Sequence, residues 1–335
     1  MGSPIENYKT QLKPCKFERI FFYFVIIIVA VMVAIYTQWP GLSSPYVITE
    51  DARQHTYWMG NFHNPELFKG DIYVQFDRHL LPLGFKGIYY CLTIFIEPIF
   101  AGKLLSVVLY VIAGLYLFKI GNVVQSRYTG LLLFLSFIVL PPHIKDFCNG
   151  LPRAFAFPLM IAFFYYLLIN DCKKCFGTVL LQILFYPVIF PVCYFALLLV
   201  LVGSRLIGEN GYYKYRYLKY MLSPMFLLLT VLGYKSLTAP SFLGKLVSKA
   251  EIYNGAAFYE YGRSNYLPLL SVWEAMKEGF FLFSNVKYLI AVFSFFVIVD
   301  VYFSTVYKNE KKIKLYLIMF CLFLFYLCIN YPPYS

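Results

Sequence analysis

The sequence predicts an all-α integral membrane protein. Hydrophobic residues fill 60% of the 335 positions and charged residues only 14%, a composition far more apolar than that of a soluble globular domain. Apolar runs that approach the length of a spanning helix, about 20 residues, recur along the chain. Positive charge collects between these runs, as it does at the cytoplasmic ends of spans. We therefore interpret residues 1–335 as a single transmembrane domain of about eight to ten helices.

Apolar runs give the candidate spans directly. They are Ile20 to Thr37, Gly87 to Phe118, Thr129 to Pro142, Arg153 to Ile169, a divided run Phe176 to Gly203, Lys219 to Tyr234, Asn285 to Tyr307 and Ile313 to Ile329. The first run follows a basic segment and leads into Trp39-Pro40 without a small-residue cleavage site. This pattern predicts a retained signal anchor rather than a cleaved signal peptide.

The net charge of +12 would suggest nucleic acid binding in a soluble protein, but in this chain it indicates orientation. Basic clusters lie at the N-terminus, at Lys119 with Arg127, at Lys173-Lys174, at Arg205 with Lys214, Arg216 and Lys219, and at Lys308, Lys311, Lys312 and Lys314. All can be cytoplasmic together only if the divided run crosses twice, turning near Tyr186-Pro187 and Pro191. One tilted helix of about 28 residues is the alternative, and it would invert everything downstream. The double crossing gives about nine spans, with the N-terminus inside and the C-terminus outside.

On this topology the polar chemistry lies on the extracytoplasmic side of the membrane. All four histidines and ten of the seventeen carboxylates fall in the first extracytoplasmic loop (38–86), in Pro141 to Pro152 and in a second large extracytoplasmic segment (236–284). Because a membrane protein gains little from a long charged loop unless something binds there, we expect the outer face to be the working face.

The first loop carries the strongest candidates. Thr49 can cap a short helix whose first turn holds Glu50 and Asp51, with His55 one turn further on the Asp51 face. Asp51 is the candidate general base, and Arg53 and His55 place donors beside it.

Asp71, in the same loop, follows Gly70 and has several interpretations. It is a second acid, a metal ligand paired with Asp51, or simply a helix cap.

Two arginines are candidates for binding phosphate. Arg153 begins an apolar run, at the depth where the phosphate of an outer-leaflet lipid would lie, and a guanidinium binds phosphate through two parallel hydrogen bonds. Snorkelling to the interface is the structural alternative for Arg153. Arg263 lies among aromatic residues in the second large segment, a composition suited to sugar stacking or to a membrane-surface helix.

Several motifs together resemble a group of largely uncharacterised bacterial polytopic membrane proteins. They are "EDARQH..WM..F..PELF..D" from Glu50, "KLL" at Lys103, "G.PRAFAFPL....FYYLL" from Gly150, "LQ.LFYP" from Leu181 and "KAE......F...GR" ending at Arg263. The architecture of the group looks like that of the GT-C glycosyltransferases. The motifs span residues 48 to 265, and the resemblance leads us to expect further sequence beyond the terminal "NYPPYS".

The resemblance implies transfer of a sugar from a polyprenyl-phosphate carrier on the outer face of the bacterial inner membrane, as part of cell envelope chemistry. It implies that Asp51, with Glu50 beside it, acts on the acceptor and that Arg153 or Arg263 holds the carrier phosphate. A divalent metal such as Mg²⁺ or Mn²⁺ serves some members of the superfamily. The chain departs from many of these enzymes because it has no D-x-D and its two acidic residues are adjacent.

Our leading hypothesis is therefore a membrane glycosyltransferase whose partners are a lipid-linked sugar and membrane lipid, with no role for nucleic acid. A transporter or flippase for a lipid-linked or anionic solute is the alternative, and it requires ionisable residues inside the spans, where Glu97, Lys103 and Asp300 are the candidates. A noncatalytic membrane assembly subunit is a further alternative.

Overall fold

The computed structural model describes residues 16–139, 147, 150–206 and 218–243, and every regular element in these ranges is helical. The α-helices are α1 (Lys16–Leu42), α2 (Glu50–Thr56), α3 (Ile72–Leu80), α4 (Leu83–Leu92), α5 (Pro98–Val124), α6 (Arg127–Val139), α7 (Ala156–Leu168), α8 (Cys172–Phe185), α9 (Phe190–Leu206) and α10 (Leu218–Leu237). Short 3₁₀ helices are Tyr57–Phe62, Pro152–Phe155, Pro187–Ile189 and Ser241–Leu243. The all-α prediction is confirmed for these ranges.

Within the described ranges, two helices are long and apolar enough to cross a membrane, Ile20–Leu42 and Pro98–Val124. Shorter apolar helices are Arg127–Val139, Pro152–Leu168, Pro187–Leu198 and Leu222–Leu237. The first spanning candidate leaves large apolar side chains such as Ile20, Phe24 and Met32 exposed, an arrangement that suits contact with lipid. Length and composition thus support membrane association, while nine crossings and a multi-pass topology stay predictions.

The chain divides into two compact units, Met1–Val188 and Ile189–Ser335. In the first unit α5 contacts α1, α2, α4, α6 and α7, and it therefore forms the centre of the unit. The face that α1 buries is a stripe of Ile26, Ala30 and Ala34 at four-residue spacing. Two of these side chains are single methyl groups, which lets a neighbouring helix approach closely.

Glycines bring α5 and α6 into backbone contact. A Cβ atom placed on Gly121 of α5 would lie 2.5 Å from the Cα atom of Gly130 of α6. A Cβ atom on Gly114 would lie 2.8 Å from the Phe134 ring. Close approach at small residues increases van der Waals contact between helices, which is the main attraction available to them in lipid.

The predicted span Gly87 to Phe118 begins too early, because two helices share this run and only the second is long enough to cross a membrane. Helix α4 ends at Leu92, and α5 begins at Pro98. The ring of Pro98 disfavours helical geometry at the preceding residue, and Glu97 accordingly has φ −61° and ψ 141°. Glu97 therefore lies before the spanning helix and not inside it, whereas Lys103 is buried within α5.

The divided run Phe176 to Gly203 is broken where its prolines predict. Helix α8 ends at Phe185, Tyr186 leaves helical geometry with φ −154° and ψ 83°, and the 3₁₀ helix Pro187–Ile189 follows. An unbroken helix over this run is therefore excluded. The double crossing of the membrane stays a prediction.

The second unit contributes α9, α10 and the 3₁₀ helix Ser241–Leu243 to the described residues. In α9 the rings of Phe190 and Tyr194 stack with centroids 5.1 Å apart. Helix α10 exposes Leu222, Phe226 and Leu229 along one side. Helix α10 is therefore apolar on an exposed side.

Helix α3 reverses the usual amphipathic arrangement. It buries Val74 and Asp77, while Ile72, Phe76 and Leu80 are exposed at four-residue spacing. An apolar face turned outwards suits a helix that lies at the membrane interface. The buried side of α3 thus carries the carboxylate of Asp77 next to the apolar Val74.

Substituting Gly121 with Ala should destabilise the first unit by about 2 kcal/mol, because the added methyl group would meet the backbone of Gly130. The matched control is Gly177→Ala in α8, where an added Cβ atom meets nothing within 4 Å. Since Ala is the better helix former, the control should retain or slightly raise stability. Thermal unfolding of the detergent-solubilised variants measures both effects. Equal unfolding temperatures for the two variants would contradict the close contact of α5 and α6.

Candidate functional site

The first acidic pair of the loop opens helix α2 as predicted. The side-chain oxygen of Thr49 accepts a hydrogen bond from the backbone N–H of Ala52 at 3.4 Å, which caps the helix. Glu50 and Asp51 follow in the first turn, where carboxylates interact favourably with the helix dipole. Glu50 and Arg53 are exposed, while Asp51 is half-buried.

Asp51 pairs with Arg153, which lies just before the apolar helix α7. Nη2 of Arg153 lies 3.0 Å from Oδ2 of Asp51, and the two side chains are 46% and 50% exposed. An ion pair this exposed adds at most about 1 kcal/mol to stability. The ion pair therefore matters mainly for the two groups that it brings together at an accessible surface. Asp51 is predicted to act on the acceptor, and Arg153 is predicted to bind phosphate.

A glycine positions Arg153 against the central helix. Gly150 has φ +57°, a left-handed conformation, and a Cβ atom there would lie 2.7 Å from the carbonyl oxygen of Gly102 in α5. The hydroxyl of Tyr89 donates a hydrogen bond to the carbonyl oxygen of Gly150 at 3.4 Å. Glycine suits this position because it tolerates both the dihedral angle and the contact. The chain then enters the 3₁₀ helix Pro152–Phe155 that carries the arginine.

His55 pairs with a buried carboxylate that the sequence did not reveal as a site residue. Nδ1 of His55 lies 3.1 Å from Oδ1 and 3.2 Å from Oδ2 of Asp77. The side chain of Asp77 is only 5% exposed and that of His55 26%. The hydrogen bond that His55 donates to Asp77 raises the pKa of His55 above its ordinary 6.5, against the opposing effect of burial. Asp51 raises this pKa further and Arg153 lowers it, so the two pairs are electrostatically coupled.

A network of polar contacts beside Asp77 holds helix α3 in place. Arg78, its neighbour in α3, donates a hydrogen bond to the side-chain oxygen of the buried Asn61 and lies 5.7 Å from the centre of the Trp58 ring. The Asn61 amide donates in turn to the carbonyl oxygens of Pro65, at 3.1 Å, and of Leu67. These contacts tie α3 to the 3₁₀ helix that follows α2. The helix that carries Asp77 is therefore held against the segment that follows the helix of His55.

Asp71 serves as a helix cap. Its Oδ1 accepts hydrogen bonds from the backbone N–H groups of Tyr73, at 2.8 Å, and Val74, at 3.3 Å, at the start of α3. No group of three or more His, Cys, Asp or Glu side chains able to hold a metal occurs within the ranges that the structure describes. The capping role of Asp71 is therefore confirmed, while a metal site that pairs it with Asp51 stays a prediction.

The structure brings together Asp51, Arg153 and His55, while Glu50 and Arg53 stay on the exposed surface of α2. Arg263 lies outside the described residues. Asp77 was missed, although the sequence carries a signal for it. It occupies the helical face of Val74 and Leu81, at spacings of three and four residues, so a carboxylate stands where an apolar side chain is expected.

No family model, curated protein or solved structure matches the chain. The resemblance to GT-C glycosyltransferases therefore stays a prediction that rests on sequence motifs. A function for the chain has to be inferred from the site itself.

Substituting His55 with Gln should destabilise the chain more at acidic pH than at alkaline pH. Since Asp77 raises the pKa of folded His55, the charged pair stabilises the fold fully below the unfolded pKa of about 6.5. That stabilisation is lost as pH rises through the higher folded pKa. Unfolding temperatures measured from about pH 5.5 to about pH 8.5 should show the gap between wild type and variant narrowing with rising pH.

The control for this series is Glu66→Gln, which removes an exposed ion pair with Lys69 in the same loop, at 3.1 Å. It should leave the unfolding temperature nearly unchanged. A gap for His55→Gln that is constant over the whole pH range would contradict a protonated His55 paired with Asp77.

Proposed function

We propose that this chain transfers a sugar from a polyprenyl-phosphate carrier to an acceptor on the outer face of the membrane. The observation that supports this function is the accessible ion pair of Asp51 and Arg153, 3.0 Å apart. The Asp51 carboxylate suits an acceptor hydroxyl, and the Arg153 guanidinium suits a phosphate. Transfer of a sugar needs both groups beside the anomeric carbon.

Arg153 suits the phosphate because its guanidinium is planar, permanently charged and carries five N–H donors. Nη2 of this guanidinium lies 3.0 Å from Oδ2 of Asp51. The side chain is nearly half exposed, so an anion can reach it from solvent or from the membrane surface. When the bond between the sugar and the phosphate breaks, negative charge grows on the phosphate oxygen. A fixed cation at that position stabilises this developing charge.

Asp51 suits the acceptor because a carboxylate has two oxygens that accept hydrogen bonds. Oδ2 faces Arg153, and a hydroxyl bound to the carboxylate would lie beside the group that holds the phosphate. Holding both reactants at one place converts an encounter of two molecules into a reaction within one complex. In this proposal Asp51 orients the acceptor hydroxyl towards the anomeric carbon.

The position of the pair also suits a lipid carrier. Helix α2 follows closely on the spanning candidate Ile20–Leu42, and Arg153 directly precedes the apolar helix α7. A polyprenyl chain needs apolar helix surfaces, and its phosphate needs a cation near the interface. Arg153 supplies the cation, and the exposed apolar side chains of α1 supply an apolar helix surface.

A divalent metal serves some of the enzymes that the chain resembles, but the described side chains do not form a donor set for one. Asp51 faces a guanidinium, and Asp71 faces backbone N–H groups. In this proposal Arg153 therefore stabilises the negative charge that develops on the departing phosphate.

Substituting Arg153 with Ala should weaken binding of undecaprenyl phosphate at least about tenfold, the loss expected for a charge-assisted hydrogen bond to phosphate. Arg153→Lys should be intermediate because it keeps the charge and loses the paired N–H donors. Native mass spectrometry of the full chain in lipid nanodiscs, titrated with undecaprenyl phosphate, measures the affinity.

The control for this experiment is Lys69→Ala, which removes an exposed cation of the first loop whose partner is Glu66. It should bind like wild type. No binding by wild type, or equal binding by Arg153→Ala and wild type, would overturn the proposed carrier site.

A further inference from the structure

We infer that His55 accepts the proton of the acceptor hydroxyl and that Asp77 is the positioning residue that holds its ring. This inference rests on the proposed function, because it names the proton acceptor of that same transfer. It assigns a role to the buried pair beside the Asp51 and Arg153 contact.

The contact geometry determines which ring nitrogen can accept the proton. Nδ1 of His55 lies within 3.2 Å of both oxygens of Asp77. An ionised carboxylate can only accept hydrogen bonds, so Nδ1 carries the hydrogen in the neutral ring. Nε2 is then the unprotonated nitrogen, with its lone pair available to a hydroxyl.

Burial makes the arrangement rigid and directional. Asp77 is 5% exposed, and its charge is compensated by the imidazole, whereas His55 is 26% exposed and so keeps access to the surface. The carboxylate cannot be reached by a large acceptor from outside, but the imidazole can. The proton would thus leave the reacting group through His55.

The neighbouring ion pair explains why the role falls to His55. Asp51 and His55 are one helical turn apart on α2, and Asp51 and Arg153 both influence the charge of His55. Oδ2 of Asp51 is engaged by Arg153 at 3.0 Å. Asp51 therefore orients the hydroxyl and Arg153, while an imidazole held by a second carboxylate takes the proton.

In the transfer step, the acceptor oxygen forms a bond to the anomeric carbon while its proton passes to Nε2 of His55. The bond between that carbon and the phosphate oxygen breaks, and its electron pair stays on the phosphate beside Arg153. The imidazolium formed is stabilised by Asp77, and it returns its proton to solvent after the product leaves.

The groups that face His55 set its pH dependence. They are Asp77 on α3, Asp51 on its own helix and Arg153 on the 3₁₀ helix Pro152–Phe155. Because transfer requires the neutral imidazole, activity should fall as the pH drops through the raised pKa of His55. Asp77→Asn removes the largest cause of that raised pKa, so the acidic limb should move to lower pH.

Transfer is measured with the full chain in nanodiscs, with radiolabelled undecaprenyl-phosphate glucose, mannose and galactose as donors and isolated bacterial membranes as the acceptor. His55→Ala should lower the rate by about 10²- to 10⁴-fold. The matched control is His63→Ala in the same loop, whose Nε2 lies 3.1 Å from the carbonyl oxygen of Tyr90. It should leave the rate unchanged.

A second readout does not depend on transfer. The ¹³Cε1 signal of His55, in protein labelled at histidine, is titrated by NMR in wild type and in Asp77→Asn. The midpoint should be lower in the variant, and the acidic limb of the transfer rate should follow it. A midpoint unaffected by Asp77→Asn overturns the assigned pair.

The remaining outcomes separate the two proposals. Transfer by wild type with an unchanged rate and pH profile in His55→Ala overturns the role of His55 and leaves the transferase function standing. Absence of transfer by wild type with every donor overturns the proposed function and this inference with it.

Discussion

Close backbone contact along α5 is the constraint on which the rest of the first unit depends. At one end Gly121 meets Gly130 of α6, and at the other Gly102 meets Gly150 directly before the 3₁₀ helix of Arg153. Both contacts exclude any side chain larger than hydrogen. In lipid, where apolar burial contributes little to association between helices, such contacts supply the attraction. Helix α5 therefore holds the apolar helices of the unit together. It also determines where Arg153 contacts the first loop.

The two ionic pairs of the site differ in kind because their surroundings differ. The Asp77 carboxylate is buried, so it must be compensated, and removing its partner leaves a costly unpaired charge. Asp51 and Arg153 are half exposed and contribute little to stability. One pair is thus structurally obligatory, whereas the other can be broken at little cost in stability. In our proposal the buried pair serves proton transfer and the exposed pair serves phosphate binding.

The features that local physics determines could be predicted from the sequence. The cap at Thr49, the break near Tyr186-Pro187 and the helical class follow from short-range preferences of the chain. The pairing of Asp51 with Arg153 could be anticipated only as two separate candidates. Their contact depends on how Gly150 packs on Gly102, which no pattern within either segment reveals.

Two features of the structure were not predicted from the sequence, for identifiable reasons. The apolar run from Gly87 hid the end of α4, because composition dominated over the Glu97-Pro98 dipeptide that in fact separates two helices. Asp77 was overlooked because α3 turns its apolar residues outwards. On the inner face Asp77 lies with Val74 alone of the residues that α3 buries. A polar residue on the minority face of a reversed amphipathic helix is therefore worth testing as a site residue.

The central claim is that the packing of α5 brings the start of α2 and the turn after Gly150 together. Cysteines placed at Asp51 and Arg153, in a chain whose eight native cysteines are replaced, test it with a short bifunctional thiol reagent in native membranes. The control pair is Asp51 with Lys174, which lies at the start of α8, beyond the far end of α7. Peptide mass spectrometry should detect a cross-link for the pair at 51 and 153 and none for the control. Absence of the first cross-link, or equal yield from both pairs, would contradict the account.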